Sequence, residues 1–382
     1  MKKFYFDVRD IFRAPRLAVC GKKLTVQFLG FVFGYLGYLI LTYLAYLSEG
    51  ASLAEIWKDY GLFPIYEFLF GTWHSQIIFI VGLLFMIACW LLSSAMVAKI
   101  TYEQLKGDSF YSRGDALKFI RKYWKPVLLS PFSLAIFFVL LAIAGIIVGL
   151  IGKIPYLGEW GLGIFYIFPI FIVAIFAIYL FLIFLVSLLL VPAIVATTKE
   201  ETFESIIQSF STVWNQPWRY FLYTGLLGLL AKLGMFIFGY FSYLAVMLTN
   251  WCSSVFMGDK LGSIFLRALD YLRLPDIIGS FFANLYPGSG ISFLTDKSMF
   301  GFNILWRYNL PWSYEISAFL IGIGLVLVTF AVISYGLTIL STGQTVIYII
   351  LRKKKDDEDL LEKKPEIEEE TEKKEKEEKK EE

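Results

Sequence analysis

Histidine is almost missing from this chain, with one residue in 382, and cysteine is scarce, with three. The one histidine, His74, has no partner at ligand spacing, so neither a zinc site nor a histidine-centred triad is supported. Cys20, Cys89 and Cys252 are far apart and form no CxxC pair, which argues against a disulfide framework or a metal cluster. Glycine-rich phosphate loops of the Walker type are absent as well, and nothing calls for a cofactor. Acidic residues are missing in a more telling way. Six long apolar runs, at residues 24–48, 77–98, 127–152, 162–197, 220–249 and 316–350, contain no Asp or Glu at all. Each exceeds the ~20 residues an α-helix needs to cross a ~30 Å hydrocarbon core. A lipid-exposed backbone must satisfy its own hydrogen bonds, so such runs are helices. The expected fold is all-α: a polytopic membrane helix bundle of about six spans with interfacial amphipathic helices and a disordered charged C-terminal tail.

What is present agrees. Hydrophobic residues make up 57% of the chain and aromatics 18%, both high for a soluble protein. The formal charge of +2 averages two unlike regions: residues 352–382 hold 11 basic and 15 acidic groups, and residues 1–351 hold 24 and 18. The chain therefore divides into a helical membrane domain, 1–351, and a Lys/Glu-rich tail, 352–382. Such a tail cannot bury a core and reads as disordered. Its mixed charge argues against a nucleic-acid partner. Its deletion from residue 353 is expected to leave the helices folded.

Basic residues set the expected orientation. Lys2, Lys3, Arg9, Arg13, Arg16, Lys22 and Lys23 precede the first run, which reads as an uncleaved signal anchor. The next loop has only Lys58, and the one after it carries Lys99, Lys106, Arg113, Lys118, Arg121, Lys122 and Lys125. The loop after the third run has Lys153 alone, and Arg352–Lys355 follow the sixth. This alternation predicts a multi-pass protein of the cytoplasmic membrane with both termini inside. The fourth run is too long for one plain crossing. It is either bounded by Pro169 and Pro192 or long and tilted.

A unit recurs before the odd-numbered runs. Ala116, Phe119, Ile120, Tyr123 and Trp124 keep helical spacing ahead of Pro126; Phe203, Ile206, Ile207, Phe210, Val213 and Trp214 do so ahead of Pro217. Val8, Ile11 and Phe12 before Pro15 form a shorter copy. Each predicts an amphipathic elbow stopped by proline. It either contacts lipid in some gating role or simply anchors the spans. The stretch 96–230 resembles a broad set of uncharacterised bacterial membrane proteins. The resemblance rests on Ala116-Leu-Lys-Phe-Ile-Arg-Lys-Tyr-Trp-Lys-Pro126, Val191-Pro-Ala-Ile-Val195 and the second elbow. It is also loosely similar to the membrane region of some glycerophosphodiester phosphodiesterases, whose soluble barrel has no counterpart here. The resemblance implies an architecture and a bacterial-type origin, and no activity.

Few residues stand out as candidate sites. Lys232 lies near the middle of the fifth run, where an ionisable group costs about 2.5–3.5 kcal/mol on insertion scales and is by default a candidate functional site, for an anion or a lipid headgroup. It is expected to face the bundle interior, with snorkelling as the alternative. Ser334, Thr338, Ser341 and Thr345, with Thr342 and Gln344, form one polar face on the sixth run, either lining a path or packing between helices. Gly30 and Gly34, and Gly145 and Gly149, are small-residue pairs suited to close helix approach. Ser52-Leu-Ala-Glu55 predicts a capping box on a short helix to Tyr60. Leu261, Ile264, Phe265, Leu269 and Leu272 predict a helix flat on the outer leaflet, where it could also cap the bundle, followed by a loop at Pro287–Gly290. The expected partners are membrane lipids and a membrane or cytoplasmic protein; a homo-oligomer is possible but unsupported. The absence of converging catalytic groups favours a non-enzymatic scaffold or accessory subunit. A transporter or channel for a small or anionic solute comes second and a lipid-modifying enzyme third.

Overall fold

The computed structural model describes residues 4–62, 64, 71–272 and 311–362. Among them the secondary structure is all helical. In chain order the helices are α1 Val8–Ile11, α2 Ala14–Ala18, α3 Gly21–Ser48, α4 Leu53–Tyr60, α5 Trp73–Lys106, α6 Arg113–Gly152, α7 Leu157–Phe165, α8 Phe171–Thr198, α9 Thr202–Asn215, α10 Pro217–Met257, α11 Asp259–Leu272 and α12 Trp312–Asp356. Six helices are long and apolar enough to cross a membrane: Gly21–Ser48, Trp73–Lys106, Arg113–Gly152, Phe168–Thr198, Pro217–Met257 and Trp312–Asp356. Five of these contain the apolar runs read from the sequence and lengthen them into flanking sequence; the fourth begins at Phe168, six residues after the start of the run at 162. The chain is therefore a polytopic helical membrane protein. The Pro287–Gly290 loop and the tail beyond residue 362 lie outside the described residues.

The chain forms two compact units. Unit one comprises Met1–Arg13, Ala98–Gly225 and Gly343–Glu382; unit two comprises Ala14–Val97 and Leu226–Thr342. In unit two, α3 lies close against α5. A Cβ added to Gly30 would meet Ser93, and one on Gly34 would meet the Cβ of Cys89 at 3.0 Å. This first glycine pair packs as its spacing predicts. Gln27, fully buried one turn away, donates to Ser93 Oγ at 3.1 Å. The capping box on α4 forms as expected: the Ser52 amide donates to Glu55 Oε2 at 2.9 Å, and the Glu55 amide to Ser52 Oγ at 3.3 Å. Tyrosines of α3 hold the turn after α4, Tyr35 donating to the Leu62 carbonyl at 2.6 Å and Tyr38 to that of Pro64 at 2.9 Å.

Helix α11 does not lie flat on lipid. Its apolar stripe is buried within the protein: Phe265 packs with Leu325, Val326 and Phe330 of α12, and Ile264 and Ala268 with Ala318. Arg267 Nε pairs with Glu315 Oε2 at 3.0 Å across the same contact. A stripe that could dock on lipid finds a matching apolar face on α12 instead.

In unit one, α6 runs along α8, and α9 packs against both. The first elbow is set off from its span by a kink at Tyr123 (φ −111°, ψ 19°), three residues before the expected stop at Pro126, and the helix runs on through Pro126 and Pro131. With the break three residues upstream, Pro126 falls in the first turn of the second segment, where its missing N–H costs nothing. The second elbow does stop before Pro217, which opens α10 at the favoured first position. A π-helical turn, Tyr166–Ile170, carries Pro169 and joins α7 to α8. Pro192, expected to bound the crossing, sits inside α8 without ending it.

The tail also begins later than its charge indicates. Arg352–Asp356 complete α12, and Leu360 is buried, 1% exposed, with its carbonyl accepting from the Tyr102 hydroxyl at 2.9 Å. Leu360 and Leu361 form an apolar pair inside a charged run, and one buried leucine is enough to anchor the strap around it.

Candidate functional site

The structure separates the residues that the sequence singles out. Lys232 is exposed, which corrects its expected inward orientation. The packing stripe of α10 is Leu227, Ala231, Gly234 and Met235: the first two are buried, Gly234 lies against Ile339 and Tyr335, and Met235 against Gly336. Lys232 is about 100° off that stripe, one residue on. The polar face of α12 is buried, and two of its hydroxyls turn onto the helix's own backbone. Thr338 Oγ1 donates to the Ser334 carbonyl at 2.7 Å and Ser341 Oγ to that of Leu337 at 2.9 Å. Ser334 and Thr345 are buried in the same face. These contacts favour packing over a lined path. A Cβ added to Gly145 or Gly149 would meet nothing within 4 Å, so this second glycine pair packs against none of the described helices.

The most developed polar site lies in unit one, where α9, the last turns of α12 and the strap after it converge. Helix α9 turns its polar face to the protein, together with Val213. Ser205, Gln208, Ser209 and Thr212 are buried, whereas Phe203 and Trp214 are 73% and 74% exposed. Polar groups at i, i+3, i+4 and i+7 thus face the protein, and these two large aromatics face outward. From α12 come Gln344, Tyr348 and Arg352, one turn apart on one stripe. Arg352 is the hub. Its Nη1 donates to Gln208 Oε1 at 2.6 Å, its Nε lies 3.0 Å from both Asp356 Oδ2 and Glu358 Oε2, and its Nη2 is 3.0 Å from Glu358. Gln208 passes the chain on, donating from Nε2 to Glu204 Oε1 at 3.1 Å. Gln344 Nε2 donates to Thr224 Oγ1 of α10 at 3.3 Å.

Gln208, Thr212, Gln216, Tyr348, Leu351, Arg352 and Lys355 line a small cavity of about 10 Å³. Two buried polar atoms there, Tyr348 Oη and Gln216 Oε1, have no hydrogen-bond partner among the described residues. A cavity of this size has room for about one water, which would bridge such groups. Beside it, burial together with the nearby Glu204 raises the pKa of the Glu200 carboxyl, and Arg352 opposes the shift. The arrangement is a hydrogen-bonded clamp with a polar pocket for a water. Among the described residues no group of three His, Cys, Asp or Glu side chains could hold a metal ion.

Local sequence does not single out these residues. The polar spacing of α9 is there to read, but the sequence draws attention to the apolar stripe beside it, expected to meet lipid, and not to the polar face that packs on the protein. Lys23, by its place among the basic residues before the first span, reads as a surface charge at the membrane edge. It is instead fully buried and donates from Nζ to the Leu17 carbonyl at 3.0 Å. A buried ammonium with a carbonyl partner remains costly. Lys23→Met is therefore expected to leave the protein folded with an unchanged or raised melting temperature in detergent, and Lys23→Glu to lower it sharply. A clear loss on Lys23→Met would mean that the ammonium supports the fold.

No family model, no curated protein and no solved structure matches this chain.

Proposed function

We propose that the protein is a non-enzymatic scaffold or accessory subunit of the cytoplasmic membrane, with both termini cytoplasmic, and that it organises a neighbouring membrane protein through the α6–α8 arm. The observation that carries this reading is the bareness of that arm. The most apolar stretch of α6 has a mean hydropathy of 3.1 and only 6% of it is buried, against 39% for α12. Between α6 and α8 runs an apolar groove of about 680 Å³, lined in part by Ala142, Ala144, Gly145, Ala174 and Ala177. Small residues let a second helix backbone approach closely. The outward aromatics of α9 support an elbow seated in the interface, an anchor for the arm. The transporter alternative draws on Lys232 and the polar face of α12; the first is exposed and two hydroxyls of the second bond to their own helix, so both weigh less.

Two measurements test this. In mildly solubilised membranes, Gly145→Leu with Ala177→Leu is expected to release the protein from a larger complex while its melting temperature stays at the parent value. A complex that survives the double change sinks the docking face. The orientation predicts that an impermeant thiol reagent labels the exposed Cys252 from outside, and that a tag at Glu382 resists external protease; digestion of the tag in intact cells would reverse it.

A further inference from the structure

Unit two carries an apolar groove of its own, of about 400 Å³. Its lining comes from α10 between Leu230 and Phe241, from Leu24 of α3, and from Pro15 and Val19 of the elbow before α3. Tyr335 of α12 lines it too and packs on α10. Its ring meets that of Phe238 edge-on at 5.5 Å, and a Cβ added to Gly234 would lie 3.3 Å from it. Tyr335 is the one lining residue with a polar side-chain atom. Val19, Ile237 and Phe241 are 64%, 49% and 63% exposed, so the groove opens outward.

Its length suits one leaflet. Leu230 to Phe241 spans about 16 Å of helix, and half of a ~30 Å hydrocarbon core is about 15 Å. The elbow end lies at the membrane surface. Leu24 is in the first turn of α3, and Cys20 before it is extended (φ −135°, ψ 122°), which turns α2 off the α3 axis. The elbow therefore walls the groove where a second crossing helix would have to leave the membrane. A lipid needs no such exit. The lining tells the same way. The α6–α8 groove offers alanine and glycine, whereas this one is mostly Leu, Ile and Phe, and its glycine, Gly234, already backs on Ile339. A second backbone finds no close approach here. Charge marks the elbow end. Residues 14–24 hold Arg16, Lys22 and Lys23 and no acidic residue. Lys23 donates to the Leu17 carbonyl, which leaves exposed Arg16, next to Pro15, and half-buried Lys22, in the same turn as Leu24. A basic rim over an apolar slot complements a lipid with a negative headgroup.

We propose that this groove holds one acyl chain of an anionic phospholipid, with its phosphate at the elbow beside Arg16 and Lys22. In the orientation proposed above it is a lipid of the inner leaflet. Bound there, it joins the elbow to α10. The site does not involve the α6–α8 arm, and lipid binding in detergent does not depend on orientation, so this proposal and the previous one fail separately.

The test uses the full chain, stripped of lipid in detergent and titrated with phosphatidylglycerol or with phosphatidylcholine of the same chains. Native mass spectrometry reads the adducts. One phosphatidylglycerol is expected to stay bound, about tenfold tighter than phosphatidylcholine, the preference that one or two basic side chains supply. Ile237→Trp, which fills the groove, should remove the adduct; Val19→Trp should do so from the elbow side, and serves alone if Ile237→Trp fails to fold. Leu248→Trp, at an exposed position of α10 outside the groove, should keep it. Arg16→Gln should erase most of the preference between the two lipids. No retained lipid, equal affinity for both lipids, or an adduct that survives the tryptophan in the groove overturns the proposal. So does a protein partner that copurifies from membranes and is lost with Ile237→Trp, since that gives the groove to a helix.

Discussion

Gly30→Leu is expected to abolish folded protein, while Gly145→Leu, the same change in the other glycine pair, is expected to leave the protein folded. At Gly30 the new side chain has to occupy the position of Ser93 on α5. The neighbour is a helix, so relief requires the two helices to separate along their length. Overpacking of this kind costs about 3 kcal/mol, and Gln27 would lose its bond to Ser93 as well. The gain in helix propensity on replacing glycine, about 0.8 kcal/mol, cannot offset that. At Gly145 nothing stands within reach, so only the propensity gain remains. Fluorescence-detected size exclusion of both variants reads the difference directly. Equal behaviour of the two would mean that the α3–α5 contact is not as close as described.

Arg352→Met is expected to lower the melting temperature by roughly 5 °C, from a loss of about 2 kcal/mol. The change strips Gln208 Oε1, Asp356 and Glu358 of one shared donor. The two carboxylates are about a third exposed, 33% and 32%, so water takes over part of their solvation and the loss stays below that of a fully buried pair. Truncation sharpens the point. Ending the chain after residue 352 removes Asp356, Glu358 and the buried Leu360, and is expected to destabilise by more than Arg352→Met. Ending it after residue 362 keeps every one of these contacts and is expected to match the parent. A truncation after 352 that melts like the full chain would return the whole tail to the inert role its composition implies.

The spans are legible in the sequence because length and apolarity are all that a membrane crossing requires. The capping box at Ser52 and the break before Pro217 are legible for a similar reason: each is settled by a few neighbouring residues. The faces are harder. In water an apolar stripe points inward, but between lipid and protein the apolar preference does not discriminate. So large aromatics of α9 turn outward and the stripe of α11 turns inward, although both read alike. Lys232 misleads in the same way, since its neighbours Ala231 and Gly234, not its own charge, decide which side of α10 packs. Arg352 and Leu360 are hidden for another reason. Their partners, Gln208 and Tyr102, are 144 and 258 residues away in the chain, and local composition carries no trace of them.

The central claim is that the α6–α8 arm meets another membrane protein. A photoreactive side chain placed at Ala177, in the groove, and another at Leu229, exposed on α10, test it most directly in intact cells. The account predicts a discrete protein adduct from Ala177 and none from Leu229. Lipid adducts alone from both positions would contradict it.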